Sequence, residues 1–477
     1  MLFNSVNFLI FFTTVAVVYF ISPHRARWAV LLAASYFYYI TWQPVSALLL
    51  MFLTVVVYAA GLLINKIEGR ARRKLLFAAG IITAFSPLLF FKYSNFIIEN
   101  MNRIFALTGF QNSVSPLKLL LPVGISFFTF KLASYLIDVY KGKIKPERHP
   151  GKFALYVSFF PQILAGPIER AGNFIPQLEK KVSFDPERIS SGLKLILWGL
   201  FKKVVIADRL SMLVNRVYDS PADYTGMPLI IATYLFAFQI FCDFSGYSDM
   251  AIGVARILGF TTIENFRRPY FSKSISEFWR RWHISLSSWF RDYVYIPLGG
   301  SRTKIVFWCF NVLVVFLVSG LWHGSYWTFI IWGALHGVYL IAGRFTSKWR
   351  QMVWDKVPAA ESSFLRKFVS VFTVFNLVAF SWIFFRASTV SGALHIAGNL
   401  FSGLSEGLSV YSIGELVGAA SLIALMEAVH LLQRKRSVIV QLKEKPVLLR
   451  WAVYAALIIA IINLRPEFKA PFIYMQF

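Results

Sequence analysis

The stretch VFLVSGLWHGSYWTFIIWGALHG, residues 315–337, decides the fold class of this 477-residue chain. It joins two long apolar runs, 305–322 and 326–342, and each is close to the length that crosses the hydrocarbon of a bilayer as a helix. A helix satisfies its own backbone hydrogen bonds, which an extended segment facing lipid cannot do. The stretch therefore predicts two membrane-spanning helices that are separated by a break beside His323.

The same pattern recurs along the rest of the chain. The segment 153–166 is too short to cross comfortably and contains Pro161, so we expect it to be re-entrant or buried against other helices. The sequence predicts an all-α polytopic membrane protein with about 11–13 transmembrane helices plus re-entrant and interfacial helices. The ten further candidate spans are 6–21, 28–42, 45–64, 75–91, 119–140, 189–207, 228–253, 364–386, 410–432 and 449–464.

Composition excludes several classes of protein. The chain is 57% hydrophobic and 15% charged, whereas soluble domains are about 45–50% apolar and about 25% charged. A soluble enzyme, a disordered protein and a nucleic-acid-binding module are therefore not expected. We predict one transmembrane domain over 1–464, with its core motifs in 121–340, followed by an extracytoplasmic tail over 465–477.

Positive charge is concentrated in the loops between the predicted spans. The net charge is +26, and cytoplasmic loops of membrane proteins are enriched in Lys and Arg, so these loops are predicted to lie in the cytoplasm next to the lipid surface. That orientation requires that 153–166 does not cross, and it puts both termini outside. Basic loops at the cytoplasmic lipid surface also explain the positive net charge without a nucleic-acid partner. The basic loops are 66–74, 141–152, 261–304 and 434–450.

Two histidines lie within or at the end of the two spans that the stretch 315–337 joins. Ionisable groups are costly in such places and are often functional. An imidazole at His323, beside a glycine, can face a cavity and take a proton from a hydroxyl that attacks an acyl group. A packed interfacial histidine is the alternative. His336 lies in the next span, where packing or a supporting role is favoured.

A third histidine lies in a run of aromatic and basic residues, SEFWRRWHISLSSWFRDYVYIPLGG, at 276–300. Its apolar residues recur at helical spacing, with Trp279 and His283 on one face together with Leu286 and Phe290. Arg280 falls on another face. The run therefore predicts one amphipathic helix that lies at the membrane or dips into it.

Two carboxylates lie in or beside the span 228–253, in DFSGYSDMAIG. Asp243 and Tyr247 are four residues apart, as are Ser245 and Asp249, so each pair shares a helix face. These carboxylates could orient a histidine or satisfy backbone groups. The sequence has two cysteines, no CxxC and no HExxH, so no metal site is expected.

Several motifs in order resemble the membrane-bound O-acyltransferase (MBOAT) family. The similarity is strongest to the bacterial branch that O-acetylates alginate or peptidoglycan, and more distant to proteins of D-alanyl transfer to teichoic acid. It covers roughly residues 1–400. The motifs are LPVGISFFTFKLASYLIDVYKG (121–142), FFPQILAGPIER (159–170), DFSGYSDMAIG (243–253), EFWRRWHISLSSWFRDYVYIPLGG (277–300) and LWHG (321–324).

The resemblance implies a function and a set of residues. The fold would be the MBOAT fold around a central tunnel in the bacterial cytoplasmic membrane. No cofactor would be bound permanently, and cytoplasmic acetyl-CoA would be the acyl donor. His323 matches the family's essential histidine and would be the general base, while His283 would orient or polarise the donor. The flanking Trp322, Arg280 and Arg281 are expected to support the site, as are Asp243, Asp249 and His336.

The resemblance also implies a role for the last residues, FIYMQF (472–477). In some related acyl-relay systems a C-terminal tyrosine accepts the acyl group and presents it to an extracytoplasmic transferase of the SGNH type. The matching residue here is Tyr474. A phenol with a pKa near 10 needs a base to become a nucleophile. An aromatic anchor at the membrane interface is the alternative interpretation of the tail.

Two other functions fit the sequence loosely. A transporter or channel for a small anion or a lipid precursor would also use basic loops and intramembrane Asp and His residues. A scaffold that only recruits an extracytoplasmic transferase would need no catalytic histidine. The function we predict is transfer of an acetyl group across the membrane for O-acetylation of an exopolysaccharide or a cell-wall glycan.

Overall fold

The computed structural model describes residues 1–109, 113–357, 359–404, 410–433, 438–466 and 472–473. Within these ranges every regular element is a helix, which confirms the predicted all-α class. The first nine helices are α1 Val6–Ile21, α2 Arg27–Ile40, α3 Pro44–Lys66, α4 Arg70–Leu107, α5 Ile125–Tyr140, α6 Pro150–Ser158, α7 Ala171–Phe174, α8 Pro186–Leu200 and α9 Asp208–Tyr218.

The second part of the chain adds eleven more helices within the described ranges. They are α10 Met227–Ile257, α11 Ile275–Trp279, α12 Ile284–Phe290, α13 Ile305–His323, α14 Trp327–Phe345, α15 Ser347–Trp354, α16 Ala359–Arg386, α17 Val390–Asn399, α18 Ile413–Leu432, α19 Val438–Lys443 and α20 Val447–Asn463. Two segments are wound as π-helix, Phe201–Ala207 and Arg291–Tyr295.

Several helices have the length and the apolar composition needed to cross a bilayer. Among the described residues there are seven, in α3, α4, α10, α13, α14, α16 and α18, while the apolar helices α1 and α20 are shorter. Each of the twelve predicted spans coincides with a helix over most of its length. The protein is therefore a multi-pass membrane protein.

Contacts divide the chain into two compact units. Unit 1 comprises Met1–Leu193 and Ala251–Ile263, and unit 2 comprises Lys194–Met250 and Glu264–Phe477. In unit 1 the segment 153–166 contains only the last turns of the short helix α6 and then non-helical turns, and from residue 157 onward it is buried. Phe160 packs against Phe11, with 5.3 Å between ring centroids, and its amide donates to Ser35 Oγ. The segment is short and buried, as predicted.

The predicted span 119–140 begins later than expected. Helix α5 starts only at Ile125. Pro122 cannot donate a helical hydrogen bond. Gly124 has a φ of +76°, and a Cβ there would lie 2.3 Å from the carbonyl oxygen of Ile163. The residues before Ile125 therefore form a non-helical entry to α5.

In unit 2, helices α13 and α14 form a tightly packed hairpin. A Cβ on Gly320 would lie 2.3 Å from the Phe329 carbonyl oxygen, and one on Gly333 would lie 2.3 Å from that of Phe316. Small residues at a helix interface let two backbones approach in a membrane, where packing rather than water expulsion holds helices together. Helix α13 ends at His323 because Gly324 is extended, with φ −160° and ψ 157°.

Candidate active site

His323, the last residue of α13, lies in an aromatic cage formed by Trp322, Trp332 and Phe385. The centroid distances from its ring are 4.9 Å to each indole and 5.3 Å to Phe385, all with edge-on geometry. The side chain is buried, with 4% of its surface exposed. The α13–α14 hairpin therefore holds the imidazole among rings that restrict its orientation.

His283 occupies a break between two short helices, so the prediction of one continuous amphipathic helix was wrong. Helix α11 ends at Trp279 and α12 starts at Ile284. The Ile284 amide donates to the carbonyl of Asn265, and the Arg267 amide donates to that of Arg281. These bonds to the 265–267 segment replace helical ones. They hold His283 at a φ of 41°, where a residue with a side chain is strained.

The two histidines contact the same indole. The His283 ring is 6.1 Å from Trp322, which in turn contacts His323. On its other side His283 meets Phe244 edge-on at 4.7 Å. Burial lowers the pKa of His283 to about 3. Near neutral pH the imidazole is therefore uncharged and has one donor and one acceptor nitrogen.

His336 makes polar contacts through both ring nitrogens. Trp279 donates from Nε1 to His336 Nδ1 at 3.3 Å, and His336 Nε2 lies 2.9 Å from Ser381 Oγ. Since Nδ1 accepts, Nε2 carries the proton and donates to Ser381. The ring is also 5.0 Å from Trp332, a member of the aromatic cage. These contacts fit a residue that positions the cage.

The two predicted carboxylates pair with adjacent lysines of the π-helical segment Phe201–Ala207. Asp243 Oδ1 lies 2.5 Å from Lys203 Nζ, which also lies 2.8 Å from Asp208 Oδ1. Asp249 pairs with Lys202 at 2.8 Å. Asp243, Lys203 and Asp208 are all buried and form the network that we call the Lys203 network.

The described part of the C-terminal tail reaches this network. The Ile473 amide donates to Asp243 Oδ2 at 2.8 Å. The Phe472 ring stacks on Tyr247 at 4.6 Å and lies 5.9 Å from Phe244, which contacts His283. Tyr474 itself lies outside the described residues.

Sequence reasoning missed Lys202 and Lys203 as the partners of the carboxylates. The available signal was the pair of adjacent lysines, Lys202 and Lys203, inside the apolar run 189–207, where each needs a counter-charge. The predicted partners of Asp243 and Asp249 were instead a histidine or nearby backbone groups.

A cavity of about 620 Å³ opens in unit 2 beside the two arginines Arg280 and Arg291. Aromatic side chains, including Trp279 and Trp308, line its wall, and Ser319 lines it one helical turn before His323. Arg291 pairs with the adjacent Asp292 at 2.8 Å, and Arg281 pairs with Glu277 at 2.6 Å. The cavity combines guanidinium donors at an exposed position with an apolar interior, which suits an anionic ligand that has a long apolar arm.

Among the described residues no group of three His, Cys, Asp or Glu side chains is arranged to hold a metal ion. The arrangement of a buried neutral imidazole, a second imidazole in an aromatic cage and a nearby cavity can support proton transfer during acyl transfer.

Comparison with known proteins identifies the family of this chain. The profile of MBOAT, the membrane-bound O-acyltransferase family, matches residues 148–383. A probable alginate O-acetylase from Azotobacter vinelandii is 38% identical over 84% of this chain and 78% of its own length. A peptidoglycan O-acetyltransferase from Helicobacter pylori is 35% identical over 83% of this chain and 79% of its own length.

A more distant relative extends the comparison. A teichoic acid D-alanyltransferase from Bacillus subtilis is 28% identical over 66% of this chain and 79% of its own length. These relatives are named as acyl-transferring enzymes, which favours the predicted enzyme over the transporter alternative. The chain belongs to the membrane-bound O-acyltransferase family and is an acyltransferase.

Proposed function

We propose that this protein moves an acetyl group from cytoplasmic acetyl-CoA across the bacterial inner membrane, for O-acetylation of a polysaccharide outside. The names of the relatives point to an alginate-like exopolysaccharide or a cell-wall glycan as the acceptor. The basic loops support an orientation with both termini outside the cytoplasm. An extracytoplasmic SGNH-type transferase would complete the reaction on the polymer.

One observation carries this proposal. His283 and His323 contact the same indole, Trp322, and the cavity beside Arg280 reaches Ser319, one turn from His323. Two imidazoles next to a cavity of this size give acyl transfer both a base and a donor to the carbonyl. A passive pore would not need such a pair.

The cavity supports a donor with phosphates and an apolar arm. Guanidinium groups bind phosphate through paired N–H donors, so Arg280 and Arg291 would hold the nucleotide end of acetyl-CoA. The aromatic wall would hold the pantetheine arm. We expect the double variant Arg280→Gln, Arg291→Gln to raise KM for acetyl-CoA with little change in kcat. An unchanged KM would contradict this placement.

In the proposed first step, His323 accepts the proton of the Tyr474 hydroxyl as the tyrosine oxygen attacks the acetyl carbonyl carbon. A C–O bond forms and the C–S bond to CoA breaks. The imidazolium returns its proton to the leaving thiolate. The uncharged His283 would donate a hydrogen bond to the carbonyl oxygen while negative charge develops there. The products are acetyl-tyrosine and free CoA.

In the proposed second step, the partner transfers the acetyl group from Tyr474 to a sugar hydroxyl. The hydroxyl oxygen forms the new C–O bond, and the tyrosine oxygen leaves and regains a proton. A phenol has a pKa near 10, far below that of an alcohol, so phenolate leaves readily. The acetyl-tyrosine is therefore activated for onward transfer.

Substitution of the central histidine tests the enzyme assignment. We expect His323→Ala to lower polymer acetylation and CoA release by about 100-fold or more, because general base catalysis contributes about 10²–10⁴-fold. The matched control is His395→Ala, since His395 lies on α17 and contacts the Tyr224 carbonyl. Wild-type acetylation by a normally expressed His323→Ala protein would refute the assignment.

The tyrosine relay has its own test. Mass spectrometry of the C-terminal peptide should detect an acetyl group on Tyr474 when acetyl-CoA is supplied. Tyr474→Phe removes the nucleophilic oxygen and should abolish transfer. Full transfer by Tyr474→Phe would mean that the tail acts only as an anchor.

A further inference from the structure

The carboxylate of Asp243 interacts with two donors at once. One oxygen faces the Lys203 ammonium at 2.5 Å, and the other accepts the Ile473 amide at 2.8 Å. The carboxylate is buried, with 2% of its residue surface exposed. A buried carboxylate needs a hydrogen-bonded partner on each side. The Ile473 amide therefore provides the second hydrogen-bond donor that the buried Asp243 carboxylate needs.

The preceding residue of the tail, Phe472, contacts the face of α10 that carries Asp243. Tyr247 lies one turn after Asp243 on α10, so both project toward one side. Phe472 stacks on the Tyr247 ring with an interplanar angle of 22° and is 2% exposed. One helix face thus binds two consecutive tail residues, one through its backbone and one through its ring.

We propose that Asp243, Lys203 and Tyr247 form a docking site for the chain's own C-terminal segment. The hydrogen bond at Ile473 fixes the position of the backbone along α10, and the ring stacking at Phe472 fixes the register. The purpose of this tail-docking site rests on the proposed relay, because residue 473 directly precedes Tyr474. Asp243 is thus a positioning residue that acts through the tail.

The chemistry of the site explains why a carboxylate is required. An asparagine at 243 would have one acceptor oxygen and one NH₂ group, so it could satisfy either Lys203 or the Ile473 amide but not both. A carboxylate has two acceptor oxygens and satisfies both. Asp208 shares the same lysine at 2.8 Å, and it holds Lys203 in place without contributing to the tail contact.

Carboxypeptidase digestion of the purified full-length protein in detergent tests the tail-docking site. The measured quantity is the rate at which Ile473 and Phe472 are released, read by mass spectrometry. We expect Asp243→Asn to raise that rate roughly 10-fold or more, the equivalent of one hydrogen bond to a charged group. Release at the wild-type rate would overturn the proposal.

Matched variants separate docking from general destabilisation. Asp249→Asn makes the same change six residues later on α10, but Asp249 pairs with Lys202. This variant should leave the release rate unchanged. Phe472→Ala leaves the Lys203 network intact and should speed release, which provides a test if Asp243→Asn does not fold. Phe472→Trp keeps a stacking ring and should retain protection. Equal rates for Phe472→Ala and wild type would contradict docking.

The two proposals fail in different ways. Tyr474→Phe should retain protection of Ile473 but lose acetyl transfer. If Tyr474→Phe transfers normally, the relay is wrong while the tail-docking site stands. If Asp243→Asn releases Ile473 at the wild-type rate, the docking site is wrong whatever the acetylation activity.

Discussion

Lys131 in unit 1 and Lys203 in unit 2 are both buried, but their surroundings stabilise them differently. In unit 1, Lys131 donates to Gln162 Oε1 at 3.2 Å and lies over the Tyr156 ring at 4.9 Å. In unit 2, Lys203 lies between two carboxylates. Lys131 therefore contacts a dipole and a ring, and the Glu169 carboxylate interacts with it electrostatically, whereas Lys203 forms ion pairs with two carboxylates.

This difference determines whether the groups around each lysine have acceptor capacity left for another ligand. An amide and a ring satisfy a lysine without leaving a strong acceptor for anything else. Two carboxylates carry more acceptor capacity than one ammonium uses. In unit 2 the spare oxygen of Asp243 accepts the tail amide of Ile473. Because Asp243 has an acceptor oxygen that Lys203 does not use, the ion pair can also bind the tail.

The largest loss of stability is expected when Lys203 is removed from unit 2. Lys203→Met leaves Asp208 and Asp243 buried without their cation, and loss of one partner of a buried pair costs about 3–5 kcal/mol. A thermal unfolding measurement in detergent should show a large fall in the midpoint. A midpoint within a degree of wild type would mean that these carboxylates take up protons and need no lysine.

His283 differs from the buried lysines because it is buried in its uncharged form. Its pKa falls from 6.5 to about 3 on burial. Because the folded state binds fewer protons, its contribution to stability is complete above pH 6.5 and is lost as pH falls toward 3. Between pH 6.5 and 5 the loss is about 2 kcal/mol, at about 1.4 kcal/mol per pH unit.

Thermal unfolding across this pH range measures the effect. The control is His283→Asn, which is uncharged at all these pH values and tolerates a positive φ. The wild type should lose stability faster than this variant as pH falls. Parallel curves for the two proteins would show that His283 does not titrate on unfolding.

A smaller loss is expected in unit 1. Lys131→Met removes a hydrogen bond to an amide and cation–π contacts, which together contribute about 1–2 kcal/mol. The amide and the ring left behind are neutral, and the Glu169 carboxylate, which interacts electrostatically with Lys131, keeps the hydrogen bond from the Ile263 amide. The midpoint of thermal unfolding should therefore fall less for Lys131→Met than for Lys203→Met. An equal or larger shift would overturn the distinction between the two clusters.

The smallest effect is expected for Asp249→Asn. Asp249 is 22% exposed, and its partner Lys202 keeps a hydrogen bond to Ser245 Oγ at 2.9 Å. Loss of a partly exposed pair costs about 1 kcal/mol or less. The unfolding midpoint should shift slightly. A shift as large as that of Lys203→Met would place Asp249 in the same cooperative network.

Features with a local cause could be predicted from the sequence. Apolar length predicted the membrane helices, and Gly324 predicted the end of the span at His323. The spacing of Asp243 and Tyr247 predicted one shared helix face, on which both residues contact the tail. These predictions depend on residues close together in the chain, whose geometry one helix determines.

Features that depend on distant residues could not be predicted in the same way. The run around His283 has a regular helical pattern, but backbone bonds to Asn265 and Arg267 break it. The partners of Lys203 include Asp243, forty residues later. Periodicity contains no information about which distant segment supplies a hydrogen bond or a counter-charge.

Hydrophobic length and motif order are properties of the chain alone, so an all-helical membrane protein, its family and a short set of polar residues could be predicted from residue order. Three contacts depend instead on tertiary packing: Trp322 contacts both histidines, two carboxylates share Lys203, and the Ile473 amide donates to Asp243. Burial makes an unpaired charge costly, so the partner is chosen by packing in three dimensions rather than by neighbouring residues.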